Sequence, residues 1–334
     1  MLQARIHGPD DVRVDEVPEP IAGPHDVIVR VAACGICGSD LSYIRMGGVA
    51  GPGPEPMCLG HEISGTVEVA GTEVRSVTAG DRVVVRPGTD ELGRIGNGAP
   101  EGGLAPLLLV TAADRRGVYR IPDGLSLEAA AFAEPLGVGM HAVAQVEATP
   151  EDGVAVFGCG PIGLAAIATL VDAGNERVVA IDPSATRRGL AEGLGALAAV
   201  DPTTDDAWSA LADLHGTTPF MFGPTPATTA FIEATGVASV LTSIIERGAP
   251  GGRLAVVALH YAPIPTSFLT LLMKQFTVRG SMEYPPRFED AVDLLARRDL
   301  AALTTHRFPL TDLDGALGLL RDSKDCGKVC IDPA

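Results

Sequence analysis

The sequence of 334 residues predicts an α/β protein of two domains, one rich in short β-strands and one built on a doubly wound parallel sheet. The length corresponds to about two domains at roughly 150 residues each. Short Val-rich runs between Gly- and Pro-containing turns occupy the chain up to about residue 130. Beyond that point strands and helices alternate, which is typical of an α/β domain.

The first part of the chain contains candidate strands at residues 26–32 (DVIVRVA), 65–69 (GTVEV) and 81–86 (DRVVVR). Each run is short and is bounded by turn residues, which is typical of a compact antiparallel β domain. Residues 47–56 (GGVAGPGPEP) contain too many Gly and Pro residues for a helix or a strand, so we expect a loop there.

The second part begins with a buried strand at residues 154–157 (VAVF), followed by a helix predicted at 161–173. Repeated strand–helix alternation indicates βαβ units and therefore a parallel, doubly wound sheet. The other predicted strands are 177–181, 230–233, 252–258 and 276–280, and the other predicted helices are 185–194, 237–245 and 287–296.

The C-terminal segment lacks the strand–helix alternation, and we expect it to rejoin the first domain. The predicted boundaries are residues 1–134 with 284–334 for the β-rich domain and residues 135–283 for the doubly wound domain.

The charge balance excludes several classes of partner. Asp and Glu number 42 against 25 Lys and Arg, so the formal net charge is −17. A chain this acidic repels polyphosphate, which argues against nucleic acid and anionic membranes. The N-terminal stretch lacks the apolar segment of a signal peptide, and no run of about 18 apolar residues occurs. We therefore expect a cytoplasmic protein whose six cysteines are thiols or metal ligands.

A glycine-rich turn, GCGPIG at residues 158–163, joins the first strand of the second part to its helix. Gly158 permits the tight turn, Gly160 lets the backbone approach a pyrophosphate, and Gly163 lets helix and strand pack closely. The helix N-terminus offers free N–H groups to the phosphates. The turn predicts a dinucleotide site that includes Gly158, Gly160, Pro161, Ile162 and Gly163.

Asp182 ends the next predicted strand, 19 positions beyond Gly163. A carboxylate at this position accepts hydrogen bonds from ribose hydroxyls and repels a 2′-phosphate, so NAD is favoured over NADP. Arg187 follows with Arg188 and is a candidate cofactor contact that would still allow NADP to bind.

Metal-ligating residue types occur in three segments of the chain. These are Cys37 in a CxxC pair with Cys34, His61 and Glu62 in GHE, and Glu134 shortly before the dinucleotide fold. A structural zinc clip needs a second Cys or Cys/His pair, and none follows at suitable spacing. One Cys, one His and carboxylates from separate segments instead fit an open catalytic zinc site with three protein ligands.

Taken together, these motifs resemble those of the zinc-dependent medium-chain dehydrogenase/reductase family, part of the alcohol dehydrogenase superfamily. The EPL at residues 134–136 is similar to the polyol, sugar and cyclitol branch, because the simple alcohol branch carries Cys there. The resemblance implies a GroES-like β-rich catalytic domain and a Rossmann NAD-binding domain. The matching segments are residues 34–40, 60–62, 132–142 and 158–163, with further matches at 276–281, 306–310 and 327–329.

The resemblance also implies roles for the candidate ligands. Cys37 would be the zinc thiolate and His61 the imidazole ligand. Glu134 occupies the third ligand position, and Glu62 is a neighbouring carboxylate that can replace it or the water. Asp40 would hold the ring of His61 and so determine its tautomer.

Proton transfer is the first point at which this chain departs from the family. Ser39 would hydrogen-bond the substrate hydroxyl and begin the relay of its proton. The relay often ends at a His three residues further on, where this chain has Ser42. The proton would therefore leave through water, Ser42 or another group, and Tyr43 is a candidate substrate contact.

The second departure lies at residues 86–105, which contain no Cys where many relatives carry four around a structural zinc. We therefore expect one catalytic zinc, no structural zinc and a shortened lobe. The Pro-rich segment at residues 215–229 (HGTTPFMFGPTPATT) has no assignment from the sequence.

The predicted function is reversible hydride transfer between NAD and a secondary alcohol of a small polyhydroxylated molecule such as a polyol, sugar, cyclitol or amino-cyclitol. The resemblance also implies a homo-oligomer, either a dimer or a tetramer. Two alternatives stay open: a zinc-free, NADPH-dependent enone or quinone reductase of the same superfamily, and a non-catalytic relative. Metal content separates the prediction from the first alternative, and turnover separates it from the second.

Overall fold

The computed structural model describes residues 1–89, 91–322 and 325–333. Asp90, in the predicted shortened lobe, and residues 323–324 and 334, in the predicted C-terminal segment, lie outside the described residues. No helix among the described residues combines the length and apolar character needed to cross a lipid bilayer.

The chain divides into two compact units. Met1–Glu134, Phe288–Lys324 and Lys328–Ala334 form the first unit, and Pro135–Arg287 with Asp325–Gly327 forms the second. The sequence analysis placed residues 284–287 and 325–327 in the first domain, whereas both segments cluster with the second unit.

Short strands dominate the N-terminal part of the chain, as the Gly- and Pro-bounded runs predicted. Its elements are β1 Leu2–Gly8, β2 Asp11–Glu16, β3 Val27–Gly35, α1 Gly38–Met46, β4 Met57–Cys58, β5 Glu62–Ala70, β6 Arg82–Val85, β7 Gly88–Thr89, β8 Gly93–Arg94, β9 Leu107–Val110, α2 Ala113–Arg116, β10 Val118–Arg120, α3 Leu127–Ala130 and α4 Ala133–Val146.

Strands and helices alternate in the middle of the chain. The elements are β11 Gly153–Phe157, α5 Pro161–Asp172, β12 Val178–Ile181, α6 Ala185–Gly193, β13 Ala198–Val200, α7 Ala207–His215, β14 Thr217–Thr218, β15 Thr225–Pro226, β16 Thr228–Glu233, α8 Ala238–Arg247, β17 Arg253–Val256, α9 Phe268–Lys274 and β18 Thr277–Gly280. The C-terminal segment contains α10 Glu289–Arg297, β19 Thr304–Pro309, α11 Leu313–Asp322 and β20 Lys328–Asp332, with 3₁₀ turns at Ala301–Leu303 and Leu310–Asp312.

The main sheet of the first unit has the order β10-β6-β5-β3-β20-β19, and β9 also pairs with β3. β3 and β5 run antiparallel over a long register, and β20 joins the other side of β3. The C-terminal strand is therefore hydrogen-bonded to a strand from near the N-terminus. A second sheet, β2-β1-β4, has no counterpart in the sequence analysis.

The sheet of the second unit has the order β13-β12-β11-β16-β17-β18, with every pairing parallel. This order is that of a doubly wound Rossmann sheet, whose switch point lies between β11 and β16. The predicted fold class, a GroES-like β-rich domain with a Rossmann domain, is confirmed. Its core includes the aromatic rings of Phe157, Trp208, Phe231 and Phe276, which pack against one another at tilted angles.

The unassigned segment at residues 215–229 belongs to this unit. It ends α7 and forms the hairpin β14–β15 before β16 begins. His215 is buried at its start, where its ring hydrogen-bonds to Thr228 Oγ1 and to the backbone oxygen of Arg177. The segment therefore anchors at both ends to the Rossmann sheet.

The Cys-free segment at residues 86–105 contains the short hairpin β7–β8. The buried guanidinium of Arg116 donates hydrogen bonds to the carbonyl oxygens of Pro87, Leu92 and Gly93, at 2.9, 2.6 and 2.8 Å. The side chain of Arg116, on α2, thus links three backbone positions of this lobe by hydrogen bonds. The sequence analysis did not identify Arg116.

Candidate active site

The residues Cys37, His61 and Glu62 form a group of potential metal ligands. One ligand atom from each lies within 4.8 Å of the others. The pairing of β3 with β5 brings them together, because Gly35 near the end of β3 is opposite Glu62 at the start of β5. Cys37 follows β3 as the N-cap of α1, and His61 immediately precedes β5.

Glu62 is completely buried, and its two carboxylate oxygens have different surroundings. Oε1 lies 2.5 Å from Nζ of Lys328, which also donates to the backbone oxygen of Ile36 at 2.8 Å. Oε2 is buried and has no hydrogen-bond partner among the described residues. Glu62 therefore has one oxygen neutralised by a cation and one oxygen free to bind a cation.

Lys328 is a functional candidate that the sequence analysis overlooked, although the GKV segment was noted. The side chain is buried, and burial alone would favour the neutral amine. The negative charges of Glu62 and Cys37 outweigh this effect and raise the pKa of Lys328 above its usual value. A lysine within the apolar strand KVCID is the signal that could have identified it, because a buried charge requires a partner.

The ring of His61 is buried beside Asp40. Nδ1 of His61 lies 3.4 Å from Oδ1 of Asp40, and the other oxygen of Asp40 accepts a hydrogen bond from the backbone N–H of Cys37 at 2.8 Å. Burial would lower the pKa of His61, but Asp40 and Cys37 outweigh burial and raise this pKa well above its usual value. The geometry thus brings Asp40, His61 and Cys37 together.

The three remaining candidates on α1 are half-buried: Ser39, Ser42 and Tyr43. Burial raises the pKa of Tyr43. The charge of His61 and a hydrogen bond with Ser39 act in the opposite direction but do not outweigh burial. Ser39 and Tyr43 therefore lie together beside the ligand group. Ser42 makes no side-chain hydrogen bond with the described residues that would place it in a relay.

Glu134, the other candidate ligand, is buried in the first turn of α4. Its carboxylate is not part of the group formed by Cys37, His61 and Glu62. The remaining cysteines are buried thiols, and burial raises the pKa of four of them: that of Cys330 to about 11, and those of Cys34, Cys58 and Cys159 as well.

The glycine turn of the second unit is sharp and closely packed. Gly158 has φ +90°, and a Cβ on Gly163 would lie 1.8 Å from the carbonyl oxygen of Gly158. Gly160 is the N-cap of α5, with Pro161 and Ile162 in the first turn, and no side chain caps the helix. A Cβ on Gly160 would meet only Nη1 of Arg187, at 3.9 Å.

Asp182 lies directly after β12 and is buried against this turn. Its carboxylate accepts hydrogen bonds from the backbone N–H groups of Cys159 and Ser184, at 2.7 and 2.8 Å. Arg187 donates through Nε to the backbone oxygen of Cys326, and Arg188 pairs with Asp201. Asp182 therefore braces the glycine turn, a role that the sequence analysis did not include.

Two families of known domains match the chain. Residues 23–123 match the alcohol dehydrogenase GroES-like domain, and residues 161–297 match the zinc-binding dehydrogenase domain. These matches lie in the β-rich and Rossmann parts of the fold, respectively.

Known proteins resemble the chain over almost its whole length. Sorbitol dehydrogenase of Bos taurus is 32% identical over 329 residues, covering 92% of this chain and 90% of the relative. The crystal structure of 2R,3R-butanediol dehydrogenase from Bacillus subtilis superposes with a TM-score of 0.86 at 30% identity, covering 100% of this chain and 99% of that one. Galactitol-1-phosphate dehydrogenase from Escherichia coli superposes with a TM-score of 0.84 at 28% identity, covering 100% of both chains.

Proposed function

The chain belongs to the zinc-dependent medium-chain alcohol dehydrogenase family, and from this premise we propose that it uses one catalytic zinc and NAD to oxidise a secondary alcohol of a small polyhydroxylated molecule. It is an alcohol dehydrogenase with polyol dehydrogenase relatives. The observation that carries the finer proposal is the group of Cys37, His61 and Glu62, with an unpaired buried oxygen on Glu62.

The donor set fits zinc. A thiolate, an imidazole and a carboxylate are its usual ligands, and a site with three protein ligands keeps a position for substrate. Bound there, the metal supplies Lewis acidity that lowers the pKa of a substrate hydroxyl. Cys37, His61 and Oε2 of Glu62 would hold it. Glu134 is the alternative carboxylate ligand. Lys328 offsets one of the two negative charges of this set.

Oγ of Ser39 is proposed to accept the hydroxyl proton of the substrate while the serine releases its own hydroxyl proton, so that the side chain stays neutral. Tyr43 supports this role, because burial raises the pKa of its phenol and keeps it protonated. The hydrogen bond between Tyr43 and Ser39 orients the Ser39 hydroxyl, and at least one lone pair of Oγ stays available as an acceptor. The proton then leaves through solvent, because Ser42 replaces the expected histidine.

The second unit is proposed to bind the dinucleotide, and the first unit is proposed to be the catalytic domain. The open cradle at Gly160 and the uncapped N-terminus of α5 suit a pyrophosphate. A nicotinamide cofactor bound there would supply the hydride acceptor. NAD is favoured over NADP because the carboxyl group of Asp182 lies beside the turn, while Arg188 is already paired with Asp201. Arg187 remains the residue that would contact the phosphates.

The relatives support a polyol as the substrate class. The named proteins act on sorbitol, on butanediol and on galactitol 1-phosphate, all of which carry more than one oxygen-bearing carbon. Zinc held by this ligand group would lower the pKa of a secondary hydroxyl of such a molecule, and Ser39 would accept the proton that the hydroxyl loses.

A homo-oligomer is also proposed. β18 is an edge strand of the Rossmann sheet, where unpaired backbone groups favour addition of another strand. Its Val278 is exposed, and α9 exposes Phe268, Leu269 and Leu272. Light scattering after gel filtration should give the mass of a dimer or a tetramer, whereas a monomer would contradict the proposal.

The decisive experiment measures zinc in the dialysed protein by mass spectrometry, together with NADH formation from a panel of polyols. We expect about one zinc per chain, as a catalytic site without a structural lobe requires. Cys37→Ala should lose both zinc and turnover. Cys58→Ala is the matched control, because this buried thiol lies outside the ligand group and should keep both. Wild-type protein without zinc, or zinc retained in Cys37→Ala, would refute the site.

A further inference from the structure

Glu233 and His260 form a hydrogen-bonded pair in the second unit, and neither was identified in the sequence analysis. Glu233 is the last residue of β16 and is completely buried. His260 lies in the loop that follows β17, and its Nε2 is 2.8 Å from Oε2 of Glu233. The pair therefore connects the loops at the carboxyl ends of two adjacent parallel strands.

The other carboxylate oxygen of Glu233 organises a turn. Oε1 accepts hydrogen bonds from the backbone N–H groups of Thr235 and Gly236, at 2.8 and 2.9 Å, and from the Thr235 hydroxyl at 2.5 Å. Both oxygens of this buried carboxylate are thus occupied. The Glu233 carboxylate is therefore fixed in orientation by its other hydrogen bonds, and it fixes the orientation of the His260 ring in turn.

The pair lies beside the glycine turn. A Cβ on Gly158 would lie 2.8 Å from the carbonyl oxygen of Ala234 and 2.9 Å from Cγ2 of Thr235. A Cβ on Gly236 would lie 3.4 Å from the carbonyl oxygen of Leu259. The glycine turn, the turn after β16 and the loop after β17 are therefore consecutive neighbours along one edge of the sheet.

The strand order assigns the two halves of a dinucleotide to different parts of this edge. In a doubly wound sheet the ligand crosses the switch point, which here lies between β11 and β16. Asp182, after β12, is on the adenosine side of the switch point. Glu233 and His260, after β16 and β17, are on the other side, where the nicotinamide riboside half belongs.

One nitrogen of the His260 ring is left available. Because Nε2 donates to the carboxylate, a neutral ring has Nδ1 as a hydrogen-bond acceptor. None of the described residues hydrogen-bonds to Nδ1, and the side chain retains 12% of its exposure. Leu259 and Tyr261 on either side are exposed. The loop thus presents a fixed acceptor between two exposed apolar and aromatic side chains.

We propose that His260 is a cofactor-contacting residue, held by Glu233, whose Nδ1 accepts a hydrogen bond from the nicotinamide riboside half of the dinucleotide. The donor is either a ribose hydroxyl or the carboxamide NH₂. This inference rests on the proposed binding of a nicotinamide cofactor by the second unit. A histidine that only tied the two loops together would not distinguish NADH from ADP, which lacks this half.

The test measures ligand affinity rather than turnover. NADH binding is followed by its fluorescence, and ADP and ADP-ribose binding is followed by calorimetry. His260→Gln keeps a donor for Glu233 and removes the Nδ1 acceptor, whereas His260→Ala removes both. His7→Gln is the matched control, because His7 is also held by a carboxylate, that of Asp15 at 2.8 Å, in the first unit.

We expect both His260 variants to bind NADH about five- to tenfold more weakly, the effect of one hydrogen bond, while ADP binding stays unchanged. A loss for ADP-ribose as well as NADH identifies the ribose hydroxyl as the donor, and a loss for NADH alone identifies the carboxamide. His7→Gln should match the wild type throughout.

Two results would overturn the inference. The first is unchanged NADH affinity in His260→Gln and His260→Ala, which would leave the tie between the loops as the only role. The second is an equal loss for ADP, which would show a general distortion of the glycine turn. If the wild-type protein itself binds no NADH, the proposed cofactor fails and the inference fails with it, so the two failures are distinguishable.

Discussion

Nζ of Lys328 lies 2.5 Å from Oε1 of Glu62, and both side chains are almost completely buried. The two residues are 266 positions apart and meet because β20 and β5 lie on opposite sides of β3. The pair occupies Oε1 of Glu62 and leaves Oε2 without a hydrogen-bond partner, in a residue that is grouped with Cys37 and His61. Lys328 therefore fixes one oxygen of a carboxylate in this group.

Lys328→Met should lower the free energy of unfolding of the metal-free protein by about 3–5 kcal/mol, because it leaves the Glu62 carboxylate buried without a cation. Glu62→Gln combined with Lys328→Met should cost much less than the sum of the single changes, since the double variant buries no charge. Urea unfolding of the four proteins measures this coupling. If the losses in free energy of unfolding of the two single variants add up to that of the double variant, there is no coupling between Lys328 and Glu62.

Gly35→Ala should prevent the pair from forming. The new Cβ would lie 1.8 Å from Oε2 of Glu62 and 2.9 Å from Cε of Lys328. We expect a stability loss of about 3 kcal/mol or more and a large loss of zinc affinity, measured by competition with a chelator. Gly38→Ala is the control, because its Cβ meets nothing within 4 Å, and it should change stability by about 1 kcal/mol at most.

Arg116→Met should loosen the Cys-free lobe. The substitution leaves the carbonyl oxygens of Pro87, Leu92 and Gly93 without their donor, and we expect a loss of about 3 kcal/mol or more. Hydrogen exchange should rise in residues 86–105 more than elsewhere. Arg115→Met is the control, because Arg115 is exposed and, among the described residues, its side chain pairs with the exposed Glu91 alone. Equal exchange in the two variants would argue against Arg116 as the organiser of the lobe.

His215 should make stability depend on pH. Burial lowers its pKa below the usual value, so the unfolded chain takes up a proton before the folded one does as the pH falls. Stability should therefore decrease as the pH drops below about 6.5 and should level off below the folded pKa. Thermal unfolding from pH 7.5 to pH 5 tests this. His215→Gln should be less stable at neutral pH but should show a shallower decrease on acidification.

The matched control for this effect is His25→Gln, since His25 is exposed and its ring has no side-chain hydrogen bond among the described residues. Its pH profile should coincide with that of the wild type. A profile of His215→Gln that is as steep as the wild type would assign the acid sensitivity to other groups.

The elements of the Rossmann part were predictable from the sequence because its strands are continuous apolar runs. The strand predicted at residues 154–157 is β11 Gly153–Phe157, and the helix predicted at 161–173 is α5 Pro161–Asp172. Buried parallel strands and the helix after a glycine turn each leave a strong local pattern. The sheet β2-β1-β4 was missed because β4 has only two residues and no local pattern of its own.

By itself the sequence determined the fold class, the family and the residue types available for chemistry, because apolar periodicity, glycine spacing and ligand types are local properties of the chain. Only the tertiary structure decided which carboxylate stands with Cys37 and His61, which cation neutralises it and which groups surround the dinucleotide turn. The sequence analysis gave Glu134 the third ligand position and Glu62 the place of a neighbouring carboxylate that can replace it. They differ in the structure because the role of a carboxylate depends on burial and on partners such as Lys328, which only folding brings near.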